Sequence, residues 1–357
     1  MRLEKPIIRM PTLVGEQWLG VERPLQKPDW WGRVVLIDFW EYSCINCQRT
    51  WPYLRIWQQR YGERGLLIIG VHTPEFAFGK LLAEVAAAAG RAGLSYPILL
   101  DEEGRNWDRF AVKAWPTKFL VDPAGYIRYK QQGEGGYQAF ELGIQTLLRE
   151  RGDTRLMPDL LGPQRPEDKS GAVCYRATPE LYAGYERGLF GTAVGNPEGY
   201  VPNETVLYGL TTVGALEKHR FYLEGFWQVG AEGVVFKGRE GRVLVSYEAA
   251  GVNMVASPAA DMVALRLGLT GGVAAEVAGE GVSRRIEVKL DGEWLVPAVA
   301  GRDIVFDEEG RSWVELKRPG MVELVADDRF GAHLLELIWT TPEAILYTFS
   351  FTSCMKE

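Results

Sequence analysis

Two cysteines in Cys44-Ile45-Asn46-Cys47 are the residues of this 357-residue chain whose type and spacing specify chemistry most directly. A dithiol with two residues between its members can close into a disulfide and reopen without moving the backbone. The elements around it must hold it ready. Val34-Val35-Leu36-Ile37-Asp38-Phe39 is a β-branched, apolar run and predicts a buried strand. From Cys47 to Tyr61, the residues Trp51, Leu54, Trp57 and Tyr61 recur at helical spacing. The cysteines therefore fall where a strand turns into a helix. There the first free N–H groups of the helix point at the Cys44 sulfur and favour its thiolate, the reactive form. Cys44, nearest solvent, is the expected nucleophile, and Cys47, one turn in, the expected resolving thiol.

Rival chemistries are weaker. The other cysteines are Cys174 and Cys354, too few for a disulfide scaffold. The histidines, His72, His219 and His333, lie near no second cysteine pair, which disfavours a zinc site. Gln48 follows Cys47 where covalent haem attachment needs histidine. Dithiol exchange calls for no cofactor. A formal charge of -7 makes nucleic acid and anionic membranes poor partners. The longest apolar stretch, residues 81–94, is broken by Glu84, Gly90, Arg91 and Gly93 and is too short to span a bilayer. Met1-Arg2-Leu3-Glu4-Lys5-Pro6 lacks an apolar signal core, which reads as cytoplasmic or as a sequence trimmed of its leader.

At this length two domains are expected. Residues 11–30 read as a hairpin and turn around Gly15, Pro24 and Pro28. Strands over 33–39, 66–71, 96–100, 115–121 and 126–131 alternate with helices over 47–61, 76–91, 107–110 and 137–149. That alternation predicts an α/β layered fold with a mostly parallel sheet and an antiparallel edge over residues 1–152. Residues 153–172, with Pro158, Gly162, Pro163, Pro166 and Gly171, read as a linker. Over 173–357 the period changes to two: Ile286, Val288 and Leu290 alternate with charges, and Asp291-Gly292 marks a turn. This predicts an all-β, jelly-roll-like sandwich. Cys174 and Cys354 stand near its first and last strands, where a structural disulfide and two free buried cysteines are both open.

Asp38-Phe39-Trp40, the six residues from Asp38 to Cys44, the cysteine pair and the later Trp115-Pro116-Thr117 together resemble the thioredoxin superfamily. The extra helix between Val71 and Tyr96 is similar to its TlpA/ResA-like branch. Tyr42-Ser43-Cys44-Ile45-Asn46-Cys47-Gln48-Arg49-Thr50, Val71-His72-Thr73-Pro74-Glu75-Phe76 and Gly133-Glu134-Gly135-Gly136-Tyr137 resemble the soluble carboxy-terminal region of DipZ-type proteins, and Ala177-Thr178-Pro179-Glu180-Leu181-Tyr182 continues it. The resemblance implies a thiol-disulfide oxidoreductase in which Pro116 is cis and opposite the cysteines. It implies protein thiols and disulfides as partners, a membrane thiol carrier as external electron donor, and an extracytoplasmic setting. It also implies that residues 173–357 are similar to a carbohydrate-binding module. Tyr222, Trp227, Trp294 and Trp313 are the candidate sugar-stacking rings, with core packing the alternative for each.

Two acids join the expected site. Asp38, flanked by apolar residues, would be buried with a raised pKa and could exchange a proton with Cys47. Glu75 follows the third strand, at the carboxyl end where such sheets place their sites, and otherwise serves as an acid at a helix start. Glu134 is a weaker candidate of the same kind, and Trp40 and Tyr42 are candidate floor residues. Three functions compete: a thiol-disulfide oxidoreductase with an accessory sandwich, a carbohydrate- or protein-binding protein in which the redox domain is secondary, and a thiol peroxidase. The last is disfavoured because Glu41 occupies the position of threonine in a Thr-x-x-Cys motif.

Overall fold

The computed structural model describes residues 3–191, 193–210, 216–258, 284–340 and 342–354. The chain divides into two compact units, Met1–Asp168 and Lys169–Glu357.

In the first unit, β2 (Val34–Trp40) and β3 (Leu66–His72) are buried at every position. Strands covered on both faces read as continuous apolar runs, and these two do. They pair in parallel, Val34 opposite Leu66 through Trp40 opposite His72. The whole sheet has the order β1 (Trp18–Leu19), β4 (Ile98–Leu100), β3, β2, β5 (Thr117–Val121), β6 (Ile127–Gln132). The β2–β3 and β3–β4 pairings are parallel, while β1–β4, β2–β5 and β5–β6 are antiparallel. The expected mostly parallel sheet is therefore a mixed one. Its antiparallel strand β5 lies beside central β2 because the chain returns through the Pro116 loop rather than through a crossover helix.

The expected hairpin over 11–30 is also revised. Only the two-residue β1 and the short α1 (Lys27–Trp30) form there, and β1 pairs with β4. The expected helix over 76–91 splits into a 3₁₀ turn, Ala77–Lys80, and α3 (Leu82–Ala92), which Gly93 ends at φ 65°. The remaining helices are α2 (Ile45–Tyr61), α4 (Arg105–Arg109) and α5 (Tyr137–Glu150).

Alternation along β2 divides the core. Val35, Ile37 and Phe39 face a cluster with Trp30, Phe110 and Phe119. On the other face Trp40 meets the edge of Trp51 on α2, while Trp57 of α2 stacks on Phe140 of α5 at 5.5 Å. Each fully buried large ring of this kind contributes roughly 1.5–3 kcal/mol. Gly70 stands opposite Asp38, and a Cβ there would come within 2.9 Å of Trp40 Nε1, so the glycine lets that ring pack flat on the sheet.

Residues 153–168, read from the sequence as the start of a linker, are instead a strap on the first unit. Glu141 accepts from the Leu161 amide, Gln145 donates to the Pro158 carbonyl, and Arg64 donates to the carbonyls of Arg155 and Leu156. Tyr53 of α2 donates to Asp168 and accepts from the Gln164 amide. Proline and glycine denied the segment helix or strand, and side chains of the helices satisfy its backbone instead.

The second unit is β-rich. After β7 (Leu181–Tyr182) and α6 (Tyr185–Gly191) come β8 (Thr205–Tyr208), β9 (Arg220–Val229), β10 (Val234–Phe236) and β11 (Gly241–Ser257). Then follow β12 (Arg284–Leu290), β13 (Glu293–Trp294), β14 (Ile304–Phe306), β15 (Ser312–Leu316), β16 (Gly320–Trp339) and β17 (Ile345–Thr352). β16 pairs along nearly all of β11, with register shifts at Ala249/Gly251 and Val252/Asn253. Before the first shift β11 pairs with β9, and beyond it with β17. The bulges let one long strand serve two sets of neighbours around a core that includes Trp227, Phe236, Leu337 and Trp339. Cys174 and Cys354 form an isolated antiparallel bridge and are joined by a disulfide.

Candidate active site

The site is built where β2 and β3 end and β5 begins. Phe39 pairs with Thr117, so Pro116 and the chain beyond Trp40 leave the sheet at the same edge. The Trp115–Pro116 peptide is cis. Trp115 Nε1 donates to the Thr73 carbonyl at 3.0 Å, which ties the proline loop to the loop carrying Glu75.

Cys44 caps α2 in an extended conformation, and its sulfur accepts from the Cys47 amide at 3.3 Å. Cys44 is partly exposed and Cys47 fully buried. The thiolate expected from this cap is opposed by its surroundings. Burial pushes the Cys44 thiol up, the hydrogen bonds from Cys47 pull it down, and the negative charges of Glu75 and Glu41 push it up again, with a net rise. Cys47 is held much higher, chiefly by burial and by donating its own proton toward Cys44. Cys44 is thus the first of the two to ionise, although neither thiol is lowered.

Asp38 lies behind Cys47 and is fully buried, with no hydrogen-bond partner for either carboxylate oxygen among the described residues. Burial raises its pKa from 3.8 to about 6, against the pull of Lys118. Lys118, directly opposite Asp38 on β5, is also buried, and burial lowers its pKa. Glu75 is half-buried in the loop after β3, where its charge acts on Cys44. Glu134 is ion-paired with Arg49 of α2 at 3.0 Å and with Arg165 of the strap at 3.1 Å. Trp40 and Tyr42 are buried against His72.

Sequence reasoning missed Lys118, which sits at the second position of a strand whose other residues are uncharged. It also gave no role to His72 and used Glu41 only to argue against a peroxidase. Among the described residues no group of three or more His, Cys, Asp or Glu could hold a metal ion, and no helix is long and apolar enough to cross a membrane. Of the candidate sugar-stacking rings, Trp227 is core, packed on Phe236 and Trp339, and Tyr222 is buried. Trp294 and Trp313 are half-buried, each beneath a cation, Lys289 at 4.5 Å and Arg285 at 4.0 Å.

The profile of the AhpC/TSA family matches residues 16–130, and that of the thioredoxin-like C-terminal domain matches residues 178–352. The chain is similar to the thioredoxin superfamily. Within it the chain is similar to ResA- and DipZ-like members. Protein DipZ of Mycobacterium bovis is 33% identical over 261 residues, 70% of this chain and 35% of that protein. The thiol-disulfide oxidoreductase ResA of Geobacillus thermodenitrificans is 30% identical over 100 residues, 28% of this chain and 55% of ResA. Among solved structures, a thioredoxin-like protein in its oxidized form aligns with 41% of this chain at 26% identity and a TM-score of 0.38. The chain spans about a third of the length of its DipZ relatives.

Proposed function

We propose that Cys44 and Cys47 exchange electrons with protein disulfides and thiols. The observation that carries the reading is the cap geometry: Cys44 sits at the start of α2, partly exposed, with the Cys47 amide on its sulfur and the Cys47 thiol behind it. In the reductive direction the Cys44 thiolate attacks one sulfur of a substrate disulfide and forms a mixed disulfide, and the other sulfur leaves as a thiolate. Asp38, in its basic form, takes the Cys47 proton. The Cys47 thiolate then attacks Cys44, closing the intramolecular disulfide and releasing the second substrate thiol. Two electrons pass to the substrate, and the reverse sequence oxidises a dithiol. The cis Pro116 loop, at the same sheet edge, is suited to bind an extended substrate segment. A membrane thiol donor would reduce the pair, and the β-rich second unit, read as a sandwich, would bind a carbohydrate or protein client.

The reduction potential of the pair in glutathione buffers and capture of partners by Cys47→Ser test the reading. A pair that equilibrates with glutathione and a variant that accumulates mixed disulfides are expected. A pair inert to glutathione, with a variant that captures nothing, overturns it.

A further inference from the structure

We propose that Glu41 and His72 form a sealed carboxylate–imidazole pair that positions Cys44 and sets its reactivity. The inference rests on Cys44–Cys47 being the exchanging pair.

Glu41 leaves the end of β2 three residues before Cys44 and is fully buried. Its Oε2 accepts from the Ser43 amide at 2.6 Å and from Ser43 Oγ at 2.5 Å. Those two bonds curl residues 41–43 so that Cys44 arrives at the cap of α2, its own amide turned toward the Glu41 carbonyl at 3.4 Å. Oε1 has no hydrogen-bond partner among the described residues. His72 Nε2 stands 3.8 Å from it, and neither ring nitrogen of the buried His72 has a hydrogen-bond partner among the described residues. The imidazole is held in place, stacked on Tyr42 at 5.7 Å and against the edge of Trp40 at 4.9 Å. The lid is the segment that carries Glu75. A Cβ on Gly79 would lie 2.9 Å from Pro74 Cβ and 3.5 Å from Glu41 Oε1, so Gly79 packs tightly on Pro74 at contact distance from the carboxylate.

A buried carboxylate is costly unless its oxygens are answered. Ser43 answers one oxygen, and the imidazole is placed to answer the other. At 3.8 Å the two are an ion pair in waiting rather than a hydrogen bond. Glu41 also acts on both thiols: its charge pushes Cys44 up, while its amide stabilises the Cys47 thiolate. The other groups acting on Cys44 are Cys47 from α2, Glu75 from the loop after β3 and Lys118 from β5. Asp38 from β2 and Tyr96 from the approach to β4 act through Cys47, and Glu134 acts through Lys118. Outside the cysteine pair itself, Glu41 differs from these in being the one that also shapes the cap.

The test is the pH titration of thiolate ultraviolet absorbance in the reduced full-length chain. Glu41→Gln keeps an acceptor for Ser43 but removes the charge. Its Cys44 midpoint should fall, a gain of severalfold in thiolate at a given pH below it. Glu41→Asp should bring the midpoint back toward the parent value. His72→Gln, which withdraws the imidazole from the carboxylate, should raise it. Unmoved midpoints in both Glu41→Gln and His72→Gln overturn the proposal, and movement in Glu41→Gln alone overturns the pair. The same midpoint shifts in a parent protein inert to glutathione would sink the exchange function and leave the electrostatic coupling standing.

Discussion

The chain holds two cysteine pairs that differ in every respect that matters. Cys44 and Cys47 are one helical turn apart, free, and set among carboxylates at a strand–helix junction. Cys174 and Cys354 are 180 residues apart, bonded, and placed across an antiparallel bridge toward solvent. The first pair closes almost no loop, so forming its disulfide restrains the unfolded chain little and its redox state is free to follow its surroundings. The second closes a very long loop, and its bond serves mainly to restrict the unfolded chain. On the proposed function, spacing thus separates an exchanging pair from a structural one, and local charge would tune the exchanging one.

The contrast can be broken most directly at the nucleophile. Cys44→Ser should lower exchange with glutathione or a model protein disulfide by roughly 10³-fold or more. Cys354→Ser should leave the rate within about twofold of the parent, a ratio of the size that small, indirect effects produce. Equal losses in the two variants would erase the distinction between the pairs. On stability the order reverses. Cys354→Ser should cost about 4–5 kcal/mol, the loop-entropy scale for a closure this long, read from urea unfolding of the β-rich unit. Reduction of Cys44–Cys47 should move unfolding far less.

Asp38→Asn sharpens the reactive side. The Asp38 carboxyl titrates at about 6 in the folded chain against 3.8 when unperturbed. Below about pH 3 it is neutral in both states and costs nothing. As pH rises from about 4 to about 6 the unfolded chain releases this proton while the folded one still holds it, so stability falls by up to about 3 kcal/mol and levels off above about 6. The variant should therefore be more stable than the parent at pH near 8 and equal to it near 3, and it should resolve mixed disulfides more slowly. No pH dependence in the stability difference would contradict the burial of the charge. The smallest effect belongs to the strap. Tyr53→Phe removes the bonds to Asp168 and to the Gln164 amide and should cost about 1 kcal/mol by thermal unfolding, with exchange unchanged.

Much of the reactive side was legible because it is local. The apolar run of β2, the helical spacing after Cys47 and the cysteine spacing all lie within residues 34–61, and each element formed close to its expected bounds. What escaped depends on distant partners. Lys118 reads as an ordinary strand residue until β5 is placed beside β2 and the residue stands directly opposite Asp38. Glu41 and His72 are 31 positions apart in sequence and meet only because β2 and β3 end together. The strap was misread because proline and glycine report the absence of regular structure, which a docked segment and a free one share. In the second unit the strand period was visible, but the exchange of partners along β11 was not, since a bulge at Gly251 leaves no signature that alternation would reveal.

The Cys174–Cys354 bond also changes how the second unit would answer to force. With the segments before β7 and after β17 joined by sulfur, residues 174–354 form a covalent ring whose two ends leave at one point. Tension applied along the chain would pass through the sulfur–sulfur link and bypass the strands, so a stretched molecule would keep this unit folded until the bond itself was reduced. A single cut inside the ring would likewise leave both fragments attached.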